Sequence, residues 1–422
     1  MQKRKRRASV WAVLLALVCV ISTMSVFKVD AKAEDATTAD GRFKYADDPG
    51  TGGYMITEYL KDEESVEIPS AINGKSVTAI GKNVFNGKSL KSVKISDTVT
   101  AIGEMAFYSS GLKSVQIPDG VTKLGDYAFG DCFSLSSFNI PKGITEIPAY
   151  AFEWADITSL DIPSNITKIG EGAFGFCENV PSLTIPDSVT EIGAKAFQSW
   201  KGLKSYEIPK NVTKLSGNAF MSSGITTLTV SAENPVYSSP AGSNAVIETA
   251  TNKLVMGIYG TEIPKTVKII GKNSFESCLE MSMLEIPYGV TTIEAEAFKE
   301  CGSLTNLTIP KSVTSIGDNL CCFTNWDRNL KKPVTVVSDK LVINCVKDSA
   351  AHKYAVANGY KFNLIEDKQE PVYAEDIKVT ANVDETKLKV GDTFKVTATV
   401  LPENATNKGV TVRMKILLRL TL

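Results

Sequence analysis

A single histidine, His352, serves the whole 422-residue chain. That scarcity removes the chemistry of a histidine base held between nucleophile and orienter, and of histidine-rich metal centres, because each needs a histidine placed beside partners. Eight cysteines are present but no CxxC pair, so the common cysteine metal motifs are missing as well. Charge of one sign is also lacking: 46 Lys and Arg against 47 Asp and Glu leave a net charge of -1, which offers no field for nucleic acid or an anionic membrane. Long apolar runs are confined to Val10 through Ile21, since Met414 to Leu420 is too short and too charged to cross a bilayer.

The start of the chain reads as a separate object. Lys3, Arg4, Lys5, Arg6 and Arg7 precede the apolar run, and Ala31-Lys32-Ala33 supplies small residues at a cleavage point, so 1–33 is expected to be a secretory signal peptide. Cys19 follows Val18 inside the run rather than a small residue, which argues against a lipid anchor. The expected location is secreted or cell-surface, with 34–52 as a leader.

What the chain has in abundance is repetition. A buried-type Phe recurs at 85, 107, 129, 152, 174, 197 and 220, then at 275 and 298, and the Pro of an "IP" pair keeps the same beat at 69, 118, 141, 163, 186, 209, 264, 287 and 310. A period of 22 or 23 residues means stacked coils. In one coil Leu183 and Ile185 alternate as a strand that Pro186 ends, Val189 and Ile192 point inward from a second extended piece, Gly193 permits a bend, and Ala196 with Phe197 close through a helical turn. A single coil buries too little to offset its ordering entropy, so each must be covered by its copy, at the roughly 4.8 Å spacing of paired strands.

The pattern L-x-I-P-x-x-V-T-x-I-G-x-x-A-F-x-x-C resembles the BspA-like, or Treponema-type, leucine-rich repeat family of bacterial surface proteins, from about Val66 to Leu330. The resemblance implies a β-rich leucine-rich-repeat solenoid of parallel strands and short helical turns, expected here over 53–365 with its caps. Departures are local: Pro148, Ser216 and Glu294 replace the Gly, and Leu320-Cys321 takes the last "AF". The 55-residue gap between Phe220 and Phe275 holds Val246-Ile247-Glu248 and Leu254-Val255-Met256 around Ala250-Thr251-Asn252, a hairpin insert at about 231–262 through which the solenoid is expected to continue.

Polar lids are expected at both ends. Tyr54 to Tyr59 and Val66-Glu67-Ile68 read as capping strands, with Asn73-Gly74 as a hairpin turn. At the far end Val342 to Cys345 reads as a strand, Ser349 as the N-cap of a helix through Asn358, Gly359 as its C′ residue, and Tyr360 to Leu364 as a last strand. Beyond a charged linker at 366–374, "LKVGDTFKVTATVLPENATNKGVT" resembles the bacterial immunoglobulin-like family 2 domain, so 375–422 is expected to be a partial β-sandwich. Its ending departs from strand patterning at "VRMKILLRLTL", as a frameshift or truncation would make it.

Candidate chemistry is thin. His352 falls in the capping helix. Cys132, Cys177, Cys278 and Cys301 each lie three residues after a repeat Phe, where other coils place Ser110, Ala155, Trp200 and Ser223, and read as a packing column of free thiols; the redox state of Cys321, Cys322 and Cys345 stays open. Asp119, Asp126, Asp187 and Glu191 occupy outward positions and read as solvated charge, with a carboxylate-dependent glycoside hydrolase as the remote alternative. Sequons at Asn165, Asn211, Asn306 and Asn404 arise mostly from the repeat itself. Trp154, Trp200 and Trp326 are the candidate aromatic anchors, Trp200 leaning toward the core.

Neither catalytic nor metal nor cofactor-binding residues are assigned, and no cofactor is expected. The family resemblance implies a non-enzymatic adhesion or binding protein whose partner is a host or bacterial surface protein or a matrix component, with an envelope spacer or a substrate-binding module of a larger protein as the alternative. Outward positions such as Asp161, Ser164, Lys168, Glu171 and Gly172 change between copies, and recognition is expected to be carried there.

Overall fold

A computed structural model describes residues 35–327, 332–367, 376–381 and 396–401. The expected signal peptide with Cys19, the linker from 368 on, Asn404 and the ending after 401 lie outside the described residues. The described chain divides into two compact units, the first ending at Val246 and including Val255–Ile258, the second comprising Ile247–Leu254 and all that follows Tyr259.

In the first unit each coil contributes two extended pieces. The V-T-x-I pieces pair in parallel: Ala101 sits opposite Ala79 and Lys123, and Lys168 and Lys214 both sit opposite Glu191. The pieces before the Pro form a second set, with Ser65, Ser92, Ser114 and Ser137 in register. Leu183 and Ile185 form no strand, contrary to expectation, yet Ile185 is buried as the pattern requires. The repeat phenylalanines make one column: from Phe85 to Phe220 successive ring centroids lie 4.9 to 6.0 Å apart, and all seven rings are buried.

The closing turn is not helical. In the coil around Phe107, the N–H groups of Ala106, Tyr108 and Ser110 donate to carbonyls of their own coil, whereas those of Met105, Phe107 and Ser109 donate to Asp126, Ala128 and Gly130 of the next. A helical turn would consume every donor internally; here alternate donors are spent on the neighbour, so the peptide planes must flip. Each flip needs a residue with positive φ at the third turn position, as in a type II turn. Those residues recur two before and two after the Phe: Met105 and Ser109, Tyr127 and Asp131, Tyr150 and Trp154, Lys195 and Ser199. The ladder thus continues through the turn.

The N-terminal lid is larger than the capping strands alone. Phe43–Asp47, in the segment read as leader, pairs antiparallel with Tyr54–Tyr59, which then pairs in parallel with the first coil. Asn73 and Gly74, both with positive φ, make the expected hairpin turn.

The second unit repeats the coil around Phe275 and Phe298, whose rings stack at 5.4 Å, and Cys321 stands in the next Phe position, Leu320 before it accepting from the Phe298 N–H. The strands Ala245–Glu248 and Lys253–Gly257 of the expected hairpin are hydrogen-bonded neighbours. A second hairpin, Cys322–Asp327 with Lys332–Val337, has no counterpart in the sequence reading. The cap follows expectation closely: the Ser349 hydroxyl accepts the His352 N–H at 3.2 Å, the helix spans Ala350–Asn358, Gly359 adopts φ 73°, and Lys361–Ile365 returns beside Val342–Val346. Beyond the cap, Asp376–Ala381 and Val396–Leu401 pair antiparallel within the expected immunoglobulin-like segment.

Candidate binding surface

Most of the residues singled out for chemistry are committed to structure. Asp119 pairs with Lys142 at 2.9 Å, Asp187 with Lys210 at 3.4 Å, and Glu191 with both Lys168 and Lys214 at 3.3 and 3.4 Å; Asp126 accepts the Ala149 N–H. Each of these contacts links one coil to the next. The sequon amides of Asn165 and Asn211 likewise donate to carbonyls of the preceding coil. The His352 ring lies edge-on against Phe362, and its Nδ1 accepts the Asp348 N–H. Among the described residues no group of three or more His, Cys, Asp or Glu is arranged to hold a metal ion.

The cysteine column does more than pack. The thiols of Cys132, Cys177 and Cys301 donate to the carbonyls of Phe107, Phe152 and Phe275 one coil back, at 3.2, 3.6 and 3.0 Å. Trp200 makes the same bond through Nε1 to Phe174 at 2.7 Å, and is fully buried. Four members of the column thus donate to the coil behind, and the signal was present: apart from Ala155, every residue at that position carries a donor. None of the seven described cysteines is in a disulfide, and burial raises the thiols of Cys177 and Cys278 to about 12.

Four successive closing turns of the first unit, 103–112, 125–135, 148–157 and 170–180, differ from the rest. Beyond the repeat Phe they carry Tyr108, Tyr127, Phe133, Tyr150, Trp154 and Phe176. They hold seven carboxylates, Glu104, Asp126, Asp131, Glu153, Asp156, Glu171 and Glu178, and not one Lys or Arg. The turns on either side restore cations, Lys82 and Lys88 before, Lys195 and Lys201 after.

Because residues two before and two after the Phe are left-handed, their side chains leave the coil and stack on their copies. Trp154 lies parallel to Phe176 with centroids 3.9 Å apart and is 37% exposed; Phe133, 59% exposed, leans against it at 5.7 Å. On the other column Tyr127 lies parallel to Tyr150 at 4.5 Å, with Tyr108 edge-on at 6.0 Å. Gly172 continues that column because a Cβ there would sit 2.3 Å from the Tyr150 ring.

Carboxylates are tied to these aromatic rows. The Tyr108 and Tyr150 hydroxyls donate to Asp131 and Glu171. That bond, with burial, pushes the Tyr108 phenol up to about 12. Burial, then the charges of Glu153, Glu171, Asp126 and Asp131, raise Tyr127. Glu153 is itself raised to about 7 by burial and by Asp131, with Lys195 pulling the other way. Negative charge is crowded here: of the seven carboxylates Glu104 alone is ion-paired among the described residues, with Lys82 at 2.8 Å. Of the expected anchors, Trp154 is exposed and central, Trp200 is core, and Trp326 lies on a strand whose side chain there is outside the described residues.

The fold and these sequence patterns have relatives. A leucine rich cell surface protein of Faecalibacterium prausnitzii is 27% identical, with 81% of this chain and 97% of that one covered and a TM-score of 0.51. A leucine-rich repeat protein of Bacteroides ovatus is 21% identical over 77% of this chain and 98% of its own at TM-score 0.36, and the pneumococcal vaccine antigen PcpA 16% identical over 79% and 98% at 0.44. No curated protein matches. The family described as BspA type leucine rich repeat region matches in six copies, over 63–180, 145–251 and 256–347. With more than half of its length matched, the chain belongs to the BspA-type leucine-rich repeat family.

Proposed function

We propose that this chain is an exported, cell-surface binding protein, and that it binds without chemistry of its own. The observation that carries the reading is the aromatic and acidic face from Gly103 to Val180: the exposed Phe133 and Trp154 with half-buried rings in rows beside them, held by a hydrogen-bonded scaffold, present contact area at low entropic cost. Membership of a repeat family with a surface-protein relative supports the location, as does the basic and apolar leader. No helix among the described residues is long and apolar enough to cross a membrane.

The test is a saturation assay of the labelled full chain on whole epithelial cells and on immobilised basement-membrane extract. Saturable, reversible binding is expected. Hydrolysis of a glycan panel that a single Asp or Glu substitution abolishes would replace this reading with an enzymatic one.

A further inference from the structure

We infer that the four closing turns between Gly103 and Val180 dock an extended cationic segment of a partner protein, its Arg side chains seated among Asp131, Glu153 and Glu171 beside Trp154 and Phe176. This deepens the binding role proposed above and rests on it.

Charge complementarity selects the occupant. Elsewhere along the coils carboxylates meet lysines across the stack, as Glu67 meets Lys94 at 2.6 Å and Glu191 meets two lysines. On this face the pairing ends with Glu104, which Lys82 meets at 2.8 Å; on the three coils that follow, Asp131 and Glu171 have phenol hydroxyls as partners. Glu153 is half-buried against Asp131 and held near neutrality in pKa for that reason, so an arriving cation would relieve repulsion already present. Arginine fits better than lysine, because its planar guanidinium forks onto carboxylates and lies against aromatic rings, and both surfaces are adjacent here. Four coils at the strand spacing span roughly 15 Å, the reach of about four or five extended residues. A short linear segment therefore suffices.

The probe is a fluorescent decapeptide of alternating Arg and Gly, titrated with the full chain. Glu-for-Arg and Lys-for-Arg versions and a neutral cello-oligosaccharide serve as comparisons. The expected order is Arg above Lys, with no binding of the acidic peptide, and a Kd that rises several-fold from low to physiological salt because the contacts are partly exposed. Asp131→Asn, Glu153→Gln and Glu171→Gln together, and separately Trp154→Ser, should each weaken binding at least tenfold. Glu296→Gln with Glu300→Gln, on the corresponding turn of the second unit, should change nothing. Circular dichroism on each variant separates lost binding from lost fold.

Absence of Arg-peptide binding, equal weakening by the second-unit variant, or preference for the oligosaccharide would overturn the inference. The cell and extract assay keeps the two levels apart. If the wild-type chain binds there and the triple variant binds equally well, the inference falls and the binding role stands. If the wild-type chain fails to bind cells or extract, the binding role falls, and the peptide titration still decides whether this face takes a cationic segment.

Discussion

Between Gly103 and Val180 the closing turns carry six aromatic rings beyond the repeat Phe and seven carboxylates with no cation, whereas the turns at 271–281 and 294–304 carry Glu276, Glu280, Glu294, Glu296 and Glu300 mixed with Lys272 and Lys299 and no exposed ring. The backbone is the same in both. Asn273, Ser277, Glu296 and Glu300 have positive φ just as Tyr127, Asp131, Tyr150 and Trp154 do, and in both places alternate N–H groups donate to the next coil. In the second unit Lys253 reaches Glu294 at 2.7 Å and Lys299 approaches Glu276 at 3.8 Å, so two of the five carboxylates there have a lysine partner. The lesson is a division of labour inside a single repeat. Inward positions and the alternating donors build the stack, and the two left-handed positions vary in side chain from coil to coil.

That comparison can be strained at several points. The largest effect should come from a position both regions share: Phe152→Ala and Phe298→Ala each remove a buried ring stacked on its copies and should cost about 3–5 kcal/mol, read as a lowered denaturation midpoint. A much smaller loss for one of them would mean that the column is not equally structural in both. Gly172→Ala should cost about 1–2 kcal/mol, because an L side chain enters a left-handed position and the Tyr150 ring must move. Its signature beyond stability is a shifted Tyr150 resonance, and an unchanged one would show that the tyrosine row is looser than described.

The smallest effect is a pH dependence confined to the acidic face. The Glu153 carboxyl is raised from 4.5 to about 7 in the folded chain, so the folded state holds a proton that the unfolded state has released. The stability this group contributes is full below its unfolded pKa and is lost as pH rises through about 7. Glu153→Gln should therefore gain on the wild type in thermal midpoint between about pH 5 and pH 8, and Glu300→Gln should not. Parallel curves for all three proteins would contradict the crowding of charge at Asp131 and Glu153.

The stack, its period, the Phe column and both caps were legible because inward positions repeat and cap residues such as Ser349, Gly359 and Asn73-Gly74 have local signatures. The turn was misread as helical for a physical reason: Ala-Phe in a compact loop looks helical by propensity, and only the neighbouring coil reveals that alternate donors leave it. For the same reason Asp131, Trp154 and Phe176 could not be assembled from sequence spacing alone. They stand two residues after their phenylalanines, and their meeting depends on positive φ at each, which nothing in a non-glycine side chain announces. Trp154 was picked out as an aromatic, but its rows of partners were not.

The most direct measurement is hydroxyl-radical footprinting of the full chain with and without the arginine–glycine peptide. The account predicts protection at Phe133, Trp154 and Phe176, with Leu279 and Met283, exposed in the second unit, reacting as before. Protection confined to Leu279 and Met283, with Trp154 as reactive as in the free chain, would contradict it.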